Sequence, residues 1–536
     1  MKKTRKSILI KIIITSIINN IIFQFKKIKK MKKTFLTLIS LLLTLVIYKF
    51  FLKPKFHLKT KKIKYSPYAD SIEFYTVGDG KNLKVGILSD SQLMPKPNQS
   101  SYEIFTLNLH KALNILYSKK VDSIIFAGDI ANEGTKYGFD LFNQTYKSIF
   151  NKSSYEPILN IIMGNHDYLG SKEESIETMQ KKFEESIYQK PFSHKVINNF
   201  HFINWGSEDS SDDHCNNNIT WAREQIEFSI KNSTNENNPI FIITHVNPKN
   251  TIYGSDMWGN QIIYDLLNNY SQIISFSGHS HYPLIDERSI FQGNFTAIQT
   301  QSTSYLDCEY GFENGKMIKD EYGNSNLSTR NPMGIVMEIN NGKINFERFS
   351  IERNETYGNP WVVDYPIEKK NFRYLYEERL KKRKKPFFEN VDRNKVNDYT
   401  VLNYNTDNNK SKLNYYDHFN AYNKKFNNIS DFIVVDYYDY LPIIEFKQAY
   451  HDDFIHHYKL DFFNEKGYFK TFYYLSDFFL MPKDRREYFR LRITRKLEPG
   501  NYTLRIYAVE SFGKISDNYL EGKITQYEEP FLKGND

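Results

Sequence analysis

Five short stretches of the chain share one layout, an apolar run followed by a burst of Asp, Asn, Gln or His. KVGILSDSQ (84–92) carries Asp90 and Gln92, and VDSIIFAGDIANEG (121–134) carries Asp129. IIMGNHDYLG (161–170) carries Asn165, His166 and Asp167. PIFIITHVN (239–247) carries His245, and QIISFSGHSH (272–281) carries His279 and His281. Carboxylate, amide and imidazole groups in such a mixture suit the oxygen and nitrogen ligation of divalent cations. Each burst falls where an apolar strand would end, and open α/β sheets place their chemistry at carboxyl strand ends. Isolated histidines such as His110 and His201 read instead as ordinary polar residues.

The elements that position these groups follow from periodicity. The apolar runs predict buried strands. Five ends that converge on one point are expected to share one sheet. Ser101 to Leu116, Glu174 to Ile187 and Trp221 to Ile230 have helical spacing, the last with Thr220 as its capping candidate. Strands alternating with helices predict an α/β core over residues 65–352. Within it, FTAIQTQ, MGIVMEI and KINFERF look like a second, more antiparallel sheet. Residues 353–428 read as a mixed linker. There, WVVDYPI is a candidate edge segment, LYEERLKKRKKP a charged helix stopped by Pro386, and NYNTDNNKSK a solvated loop. Residues 429–536 turn to short aromatic and β-branched runs with turn signals at NEKGY and LEPGNY, the pattern of an all-β sandwich.

The formal charge of +9 is misleading. Eighteen Lys and Arg and no acidic residue precede residue 65, which leaves 54 basic against 63 acidic side chains in the remainder. A basic tail on a mildly acidic body is a membrane or targeting pattern, and no nucleic-acid partner is expected. Within the basic region 1–64, TFLTLISLLLTLVIYKFFL (34–52) is near the length of a spanning helix. Met31-Lys32-Lys33 before it resembles a signal-peptide start, and the lysines after it favour an uncleaved signal anchor over a removed peptide. Asn-x-Ser/Thr sites such as Asn98, Asn143 and Asn294 fit a glycosylated body outside the cell or in a lumen. A single-pass membrane protein is therefore expected, with a secreted protein as the alternative. Of the two cysteines, Cys215 and Cys308, the sequence leaves both readings open: a pair in an exported chain, or two lone buried thiols.

Taken together, Asp90-x-Gln92, Gly128-Asp129, Gly164-Asn165-His166-Asp167, His245 and Gly278-His279-Ser280-His281 resemble the calcineurin-like metallophosphoesterases. That family's pattern is D-x-H, G-D, G-N-H-D/E, H and G-H-x-H, each after a strand. The resemblance covers roughly residues 80–350 and implies a four-layer α/β/β/α sandwich. It implies two divalent metal ions (Mn, Fe, Zn or Mg), held about 3.5–4 Å apart, that clamp a phosphoryl group and provide a hydroxide nucleophile. Asp129 would bridge them. Asp90, Gln92 and His281 would complete one site; Asn165, His245 and His279 would complete the other. His166 would bind the phosphate and protonate the leaving oxygen, and Asp167 would orient its ring. Separately, LEPGNYTLRIYAVESFG loosely resembles the late hairpin of fibronectin type III domains.

Gln92 departs from the pattern, which has His there. An amide oxygen is harder and a weaker donor than imidazole, so it favours Mn²⁺ or Mg²⁺. Some phosphoanhydride-cleaving members, the manganese-dependent ADP-ribose and CDP-alcohol diphosphatases, also look like D-x-Q. The protein phosphatases of the superfamily carry arginines in G-D-x-V-D-R-G that GDIANEG lacks. The expected substrate is thus a small phosphorylated molecule with a phosphodiester or phosphoanhydride bond. The alternative is a catalytically impaired phosphoesterase-like surface binding protein. Trp258, after the His245 strand, is a candidate to stack on a base or sugar and equally a core tryptophan.

Overall fold

A computed structural model of the chain describes residues 72–97, 101–151, 155–170, 174–207, 218–309, 331–389, 391, 442–493 and 497–526, with backbone alone for 61–63, 312–313, 316–317, 326–329, 433–438 and 441. The expected anchor (34–52), Cys215, Asn98 and the NYNTDNNKSK loop lie outside these residues. Among the described residues no helix is long and apolar enough to cross a membrane. The chain divides into Met1–His57 and Leu58–Asp536, and every described residue falls in the second unit.

The ligand-bearing strands do not share one sheet, as the sequence pattern suggested; they are divided between two. In the first sheet, β3 (Leu83–Leu88), β4 (Ser123–Ala127) and β5 (Ile158–Ile162) run parallel. On the other flank of β3 lie β13 (Met333–Asn340), β14 (Lys343–Ser350) and β15 (Glu355–Asp364), all antiparallel. The order is β15-β14-β13-β3-β4-β5. MGIVMEI and KINFERF therefore extend the first sheet and build no separate one. WVVDYPI contributes to β15, an edge strand, so the sheet runs past residue 352 to Asp364.

Among the described residues the second sheet has eight strands. They are β1 (Lys61–Ile63), β2 (Ile72–Tyr75), β6 (Phe192–Ile197), β7 (Phe200–Trp205), β8 (Ile240–Ile243), β9 (Ile273–Ser277), β10 (Ile290–Gln292) and β11 (Thr296–Gln299), in the order β1-β2-β6-β7-β8-β9-β11-β10. FTAIQTQ supplies β11, parallel to β9. β4, β8 and β9 are buried along their whole length, as continuous apolar runs in parallel strands require.

Burial explains the layers. Val85, Ile87, Ile125 and Ile162 of the first sheet share one apolar cluster with Phe202, Phe241, Ile274 and Phe276 of the second. Phe241 is stacked on Phe202 at 4.9 Å and on Phe276 at 6.0 Å, and Phe276 meets Phe346 of β14 at 6.1 Å. Truncating Phe241 to Ala would cost about 3–5 kcal/mol. Odd and even strand positions point to opposite faces. The first sheet's other face packs on helices α1 (Tyr102–Lys119), α2 (Lys136–Phe150) and α3 (Ile176–Ile187) through Leu113, Phe142 and Phe183. The second sheet's other face packs on α4 (Ile219–Asn232) and α5 (Gln261–Leu267) through Trp221, Ile226 and Leu266. Thr220 does not cap α4: it lies inside the helix, behind Asn218 at the N-cap position. In α2, Thr135 caps the first turn by accepting from Gly138 N at 3.2 Å. Asn143 lies within α2 and donates to Ser186 O at 2.7 Å, so its amide is already engaged.

The C-terminal part is antiparallel throughout. β16 (Ile433–Tyr438), β17 (Leu441–Lys447) and β20 (Tyr488–Arg492) form a three-stranded sheet. β18 (Ile455–Asn464), β19 (Gly467–Leu475), β21 (Gly500–Glu510) and β22 (Leu520–Gln526) form a four-stranded one. Both sheets contribute to a second core around Phe446, Tyr458, Leu460, Leu491 and Leu504. The segment expected as a linker is structured where described. Its helix α6 (Tyr376–Lys382) joins the two parts: Arg379 pairs with Glu287, and Arg383 just beyond it pairs with Asp453 and Glu510.

Candidate metal centre

Seven predicted ligands come together at the seam of the two sheets. The turns after β3, β4 and β5 bring Asp90, Gln92, Asp129 and Asn165; those after β8 and β9 bring His245, His279 and His281. Five of the seven sit in the left-handed region: Asp90 (φ 52°), Gln92 (48°), Asp129 (51°), His279 (66°) and His281 (56°). Each costs about 1–2 kcal/mol relative to ordinary backbone. The surrounding packing holds them there. The motif glycines explain how closely: a Cβ on Gly164 would stand 2.3 Å from Asp129 Oδ1, one on Gly128 2.5 Å from His245 Nδ1, and one on Gly278 2.2 Å from Asp90 Oδ2.

Asp90, Asp129 and His245 are fully buried, and one ligand atom from each lies within 4.8 Å of the others. Asp129 Oδ1 is 3.3 Å from His245 Nε2 and accepts from His166 N at 2.9 Å; its Oδ2 accepts from Gln92 Nε2 at 2.8 Å. Asn165 Oδ1 meets His245 Nε2 at 2.9 Å and His279 Nδ1 at 3.2 Å. His281 Nε2 lies 3.0 Å from Asp90 Oδ1, and His279 N donates to the same carboxylate. His245 Nδ1 donates to Ala127 O at 2.8 Å, which fixes the tautomer and turns the Nε2 lone pair to Asp129 and Asn165.

These residues fit a pair of divalent cations. Among the described residues, Gln92 Oε1 is buried without a hydrogen-bond partner, beside Asp129. A buried carbonyl oxygen left unmatched among carboxylates is costly unless a cation meets it. Electrostatics point the same way. Burial would raise the Asp129 carboxyl, yet His245, with His166 and His279, holds it well below its ordinary value. Burial would lower the His245 imidazole, yet facing Asp129 lifts it to about 10. Likewise His281 is raised against burial by Asp90. The attraction that holds protons here is available to a metal ion.

His166 and Asp167 are placed differently from each other. His166 is half-buried, and its Nδ1 donates to Asn132 O at 3.1 Å, which leaves Nε2 to hold or give a proton. Asp167 does not orient that ring as expected. Its carboxylate turns inward and accepts from Gly164 N (2.9 Å), Ala131 N (2.9 Å) and Ile130 N (3.1 Å). Three main-chain donors outbid one imidazole because the turns after β4 and β5 leave those N–H groups with no strand partner. Burial and the charge of Asp129 push Asp167 up to about 7, against the pull of these donors. Asp167 therefore ties together the two turns that present Asp129 and Asn165.

Some neighbours of the centre had no signal in the sequence. The TQSTSY loop after β11 binds the Asp90 turn: Thr303 N donates to Ser89 O at 3.0 Å, and Ser302 Oγ to Asp90 O at 2.9 Å. Tyr305 packs against His281. Polar residues in a row without a motif look like any surface loop, yet Thr300 to Ser304 are all buried. Trp258 is half-buried and meets His279 edge-to-face at 5.8 Å. Its Nε1 is buried and has no hydrogen-bond partner among the described residues, so this edge faces protein.

Residues 83–283 match the family model of the calcineurin-like phosphoesterases. No curated protein matches the chain in sequence. Among solved structures, a dimetal phosphatase from Danio rerio is similar at 9% identity and a TM-score of 0.36, over 53% of this chain and 99% of that one. Purple acid phosphatase PPD1 from yellow lupin is similar at 11% identity and a TM-score of 0.38, over 55% of this chain and 56% of that one. Yfce, a phosphoesterase from E. coli, is similar at 9% identity and a TM-score of 0.24, over 53% and 99%. The family match ends at residue 283, so the fibronectin type III likeness of the C-terminal sheets rests on strand pattern alone. The seven residues that meet at the seam all lie within residues 83–283, the stretch that matches the calcineurin-like phosphoesterase model.

Proposed function

We propose that this protein hydrolyses a phosphodiester or phosphoanhydride bond in a small phosphorylated molecule at a two-metal site. The observation that carries this reading is the meeting of buried oxygen donors from one sheet with imidazoles from the other around the unmatched Gln92 Oε1. Asp90, Gln92, Asp129 and His281 would hold one cation, and Asp129, Asn165, His245 and His279 the other. When bound, such ions supply the Lewis acidity that polarises a phosphoryl group and acidifies water. The chain's own residues do the rest. Asp129, kept ionised, gives the shared negative charge. Asn132 O fixes the His166 ring so that Nε2 can give a proton to the leaving oxygen. Asp167 holds the backbone of both ligand turns. The lack of the protein-phosphatase arginine in GDIANEG supports a small-molecule substrate.

Anchoring by residues 34–52, with the body outside the cell or in a lumen, belongs to the same proposal; resistance of the full-length chain to carbonate extraction from membranes would support it, and release into the soluble fraction would sink it. A second reading, an impaired surface binding protein, draws on Gln92 Nε2 donating to Asp129 where the family has a histidine. Hydrolysis of bis-p-nitrophenyl phosphate with Mn²⁺, with EDTA, and by Gln92→His separates the two. Metal-dependent turnover by the parent supports the phosphoesterase. Turnover by the variant alone supports the second reading.

A further inference from the structure

Tyr305 stands immediately before β12 (Leu306–Glu309) and belongs to none of the ligand motifs. Its ring lies against His281, centroids 4.4 Å apart and planes 57° from parallel. Phe105 of α1 is stacked on it at 6.1 Å. The backbone around it is fixed from two sides. Thr303 N and Ser302 Oγ bind the Asp90 turn, and Asp307 N donates to His281 O at 3.1 Å. A tyrosine so held keeps a set position relative to Asp90 and His281, two residues assigned to one cation.

The hydroxyl is the part left available. The residue is half-buried, no hydrogen bond of its hydroxyl is seen among the described residues, and the hydroxyl is not one of the buried, unmatched atoms, so it reaches solvent. A tyrosine joins an apolar ring to a polar tip; here the ring is packed and the tip is left to meet a ligand or water. The carboxylates of Asp90 and Asp129 are already engaged with His281 and Gln92. An arriving phosphoryl oxygen would meet a fixed O–H donor beside the cation site, and a hydrogen bond to a charged oxygen is stronger than one between neutral groups.

We propose that Tyr305 is a substrate-contacting residue of the centre, its hydroxyl donating a hydrogen bond to a phosphoryl oxygen on the Asp90–His281 side. The proposal rests on the phosphoesterase reading. It also gives the D-x-Q departure a counterpart: where Gln92 supplies a weaker donor than imidazole, Tyr305 supplies a contact to the phosphoryl group itself.

Tyr305→Phe tests it, because the ring stays against His281 and Phe105 while the hydroxyl goes. Two readouts on the full chain loaded with Mn²⁺ are needed: the Kd of inorganic phosphate by calorimetry and kcat/KM on bis-p-nitrophenyl phosphate, with metal content measured alongside. The expected result is a loss of about tenfold in phosphate affinity and at least as much in kcat/KM, at unchanged metal content. Parent and Tyr305→Phe agreeing within twofold on both readouts would reduce Tyr305 to a prop for the His281 ring. Should the parent bind phosphate without turnover, a weaker Kd for the variant would still uphold Tyr305 while the hydrolase reading fails. Equal turnover by both proteins would keep the hydrolase reading and remove Tyr305 from it. A loaded parent that neither binds phosphate nor turns over overturns both.

Discussion

The two sheets meet at one centre but bring opposite chemistry to it. The first sheet delivers oxygen donors: Asp90, Gln92, Asp129 and Asn165. The second delivers imidazoles: His245, His279 and His281. Neither set is complete. Carboxylates and amides crowded on one edge repel without a counter-charge, and the histidines on the other lack an anion to share. Only the packing of β3–β5 against β8 and β9 puts Asp129 beside His245 and Asp90 beside His281. A metal bound at this seam would therefore share one equilibrium with sheet-on-sheet packing.

The strongest way to break the comparison is to remove its shared anion. Under the two-metal proposal, Asp129→Ala should lower kcat/KM by about a thousandfold or more, since both cations would lose a ligand; elemental analysis should find the protein depleted of metal. Retained metal and turnover would show that the bridging role lies elsewhere. Metal removal comes next. At about a hundred times Kd, Mn²⁺ should stabilise the folded chain by about 2.7 kcal/mol, seen as a higher midpoint in urea than with EDTA. Asp129→Ala should show no such difference, which ties the effect to this seam.

A glycine pair sharpens the contrast between ligand turns and ordinary ones. Gly164→Ala drives a Cβ into Asp129 Oδ1 at 2.3 Å and Asp129 N at 2.6 Å, and should cost about 1–3 kcal/mol together with most of the activity. Gly78, in the turn after β2, also has positive φ (54°) but nothing within 4 Å of the added Cβ. Gly78→Ala should cost about 1 kcal/mol and leave kcat/KM alone. Equal losses of turnover in both variants would contradict the tight fit described here.

The smallest effect concerns acid. The second sheet buries two further histidines: His194 Nε2 and His201 Nδ1 are 2.9 Å apart, and Gln225 Oε1 is 3.0 Å from His194 Nδ1. Burial lowers His194 to about 4 and, with His194 beside it, His201 to about 3. Both are neutral when folded and charge on unfolding, so the unfolded chain binds more protons below its ordinary histidine pKa. Stability is then constant above about pH 6.5 and falls by about 1 kcal/mol per pH unit for each group as pH drops towards 4. Urea midpoints from pH 7.5 to 5 should fall for the parent and less for His201→Phe, and parallel curves would remove this pair from the acid response.

How much of this was legible in the residues depends on whether the signal was local. The five bursts after apolar runs marked all seven residues that meet at the seam, because a group presented there must follow a strand closely and a glycine must clear its path. The aromatic runs of β18, β19 and β21 marked the C-terminal sheets in the same way. Alternation also found α1, α3 and α4, while α2 went unmarked. Partnership was not legible. The same apolar run enters either sheet, so nothing in β8 and β9 shows that they lie across from β3–β5. Asp167 beside His166 invited the reading of a paired ring, and only the turns after β4 and β5, with their unmatched N–H groups, give its carboxylate to the backbone. Tyr305 and the buried polar loop before it became neighbours of Asp90 and His281 through packing between distant segments.

The sequence by itself determined the donor types, their strand-end spacing and the departure at Gln92, since these are properties of residues a few positions apart. The tertiary structure alone decided which donors meet, which backbone angles they are held in, and which neighbours complete the centre. Those follow from burying the inner faces of two sheets against each other, a long-range term that no local pattern records.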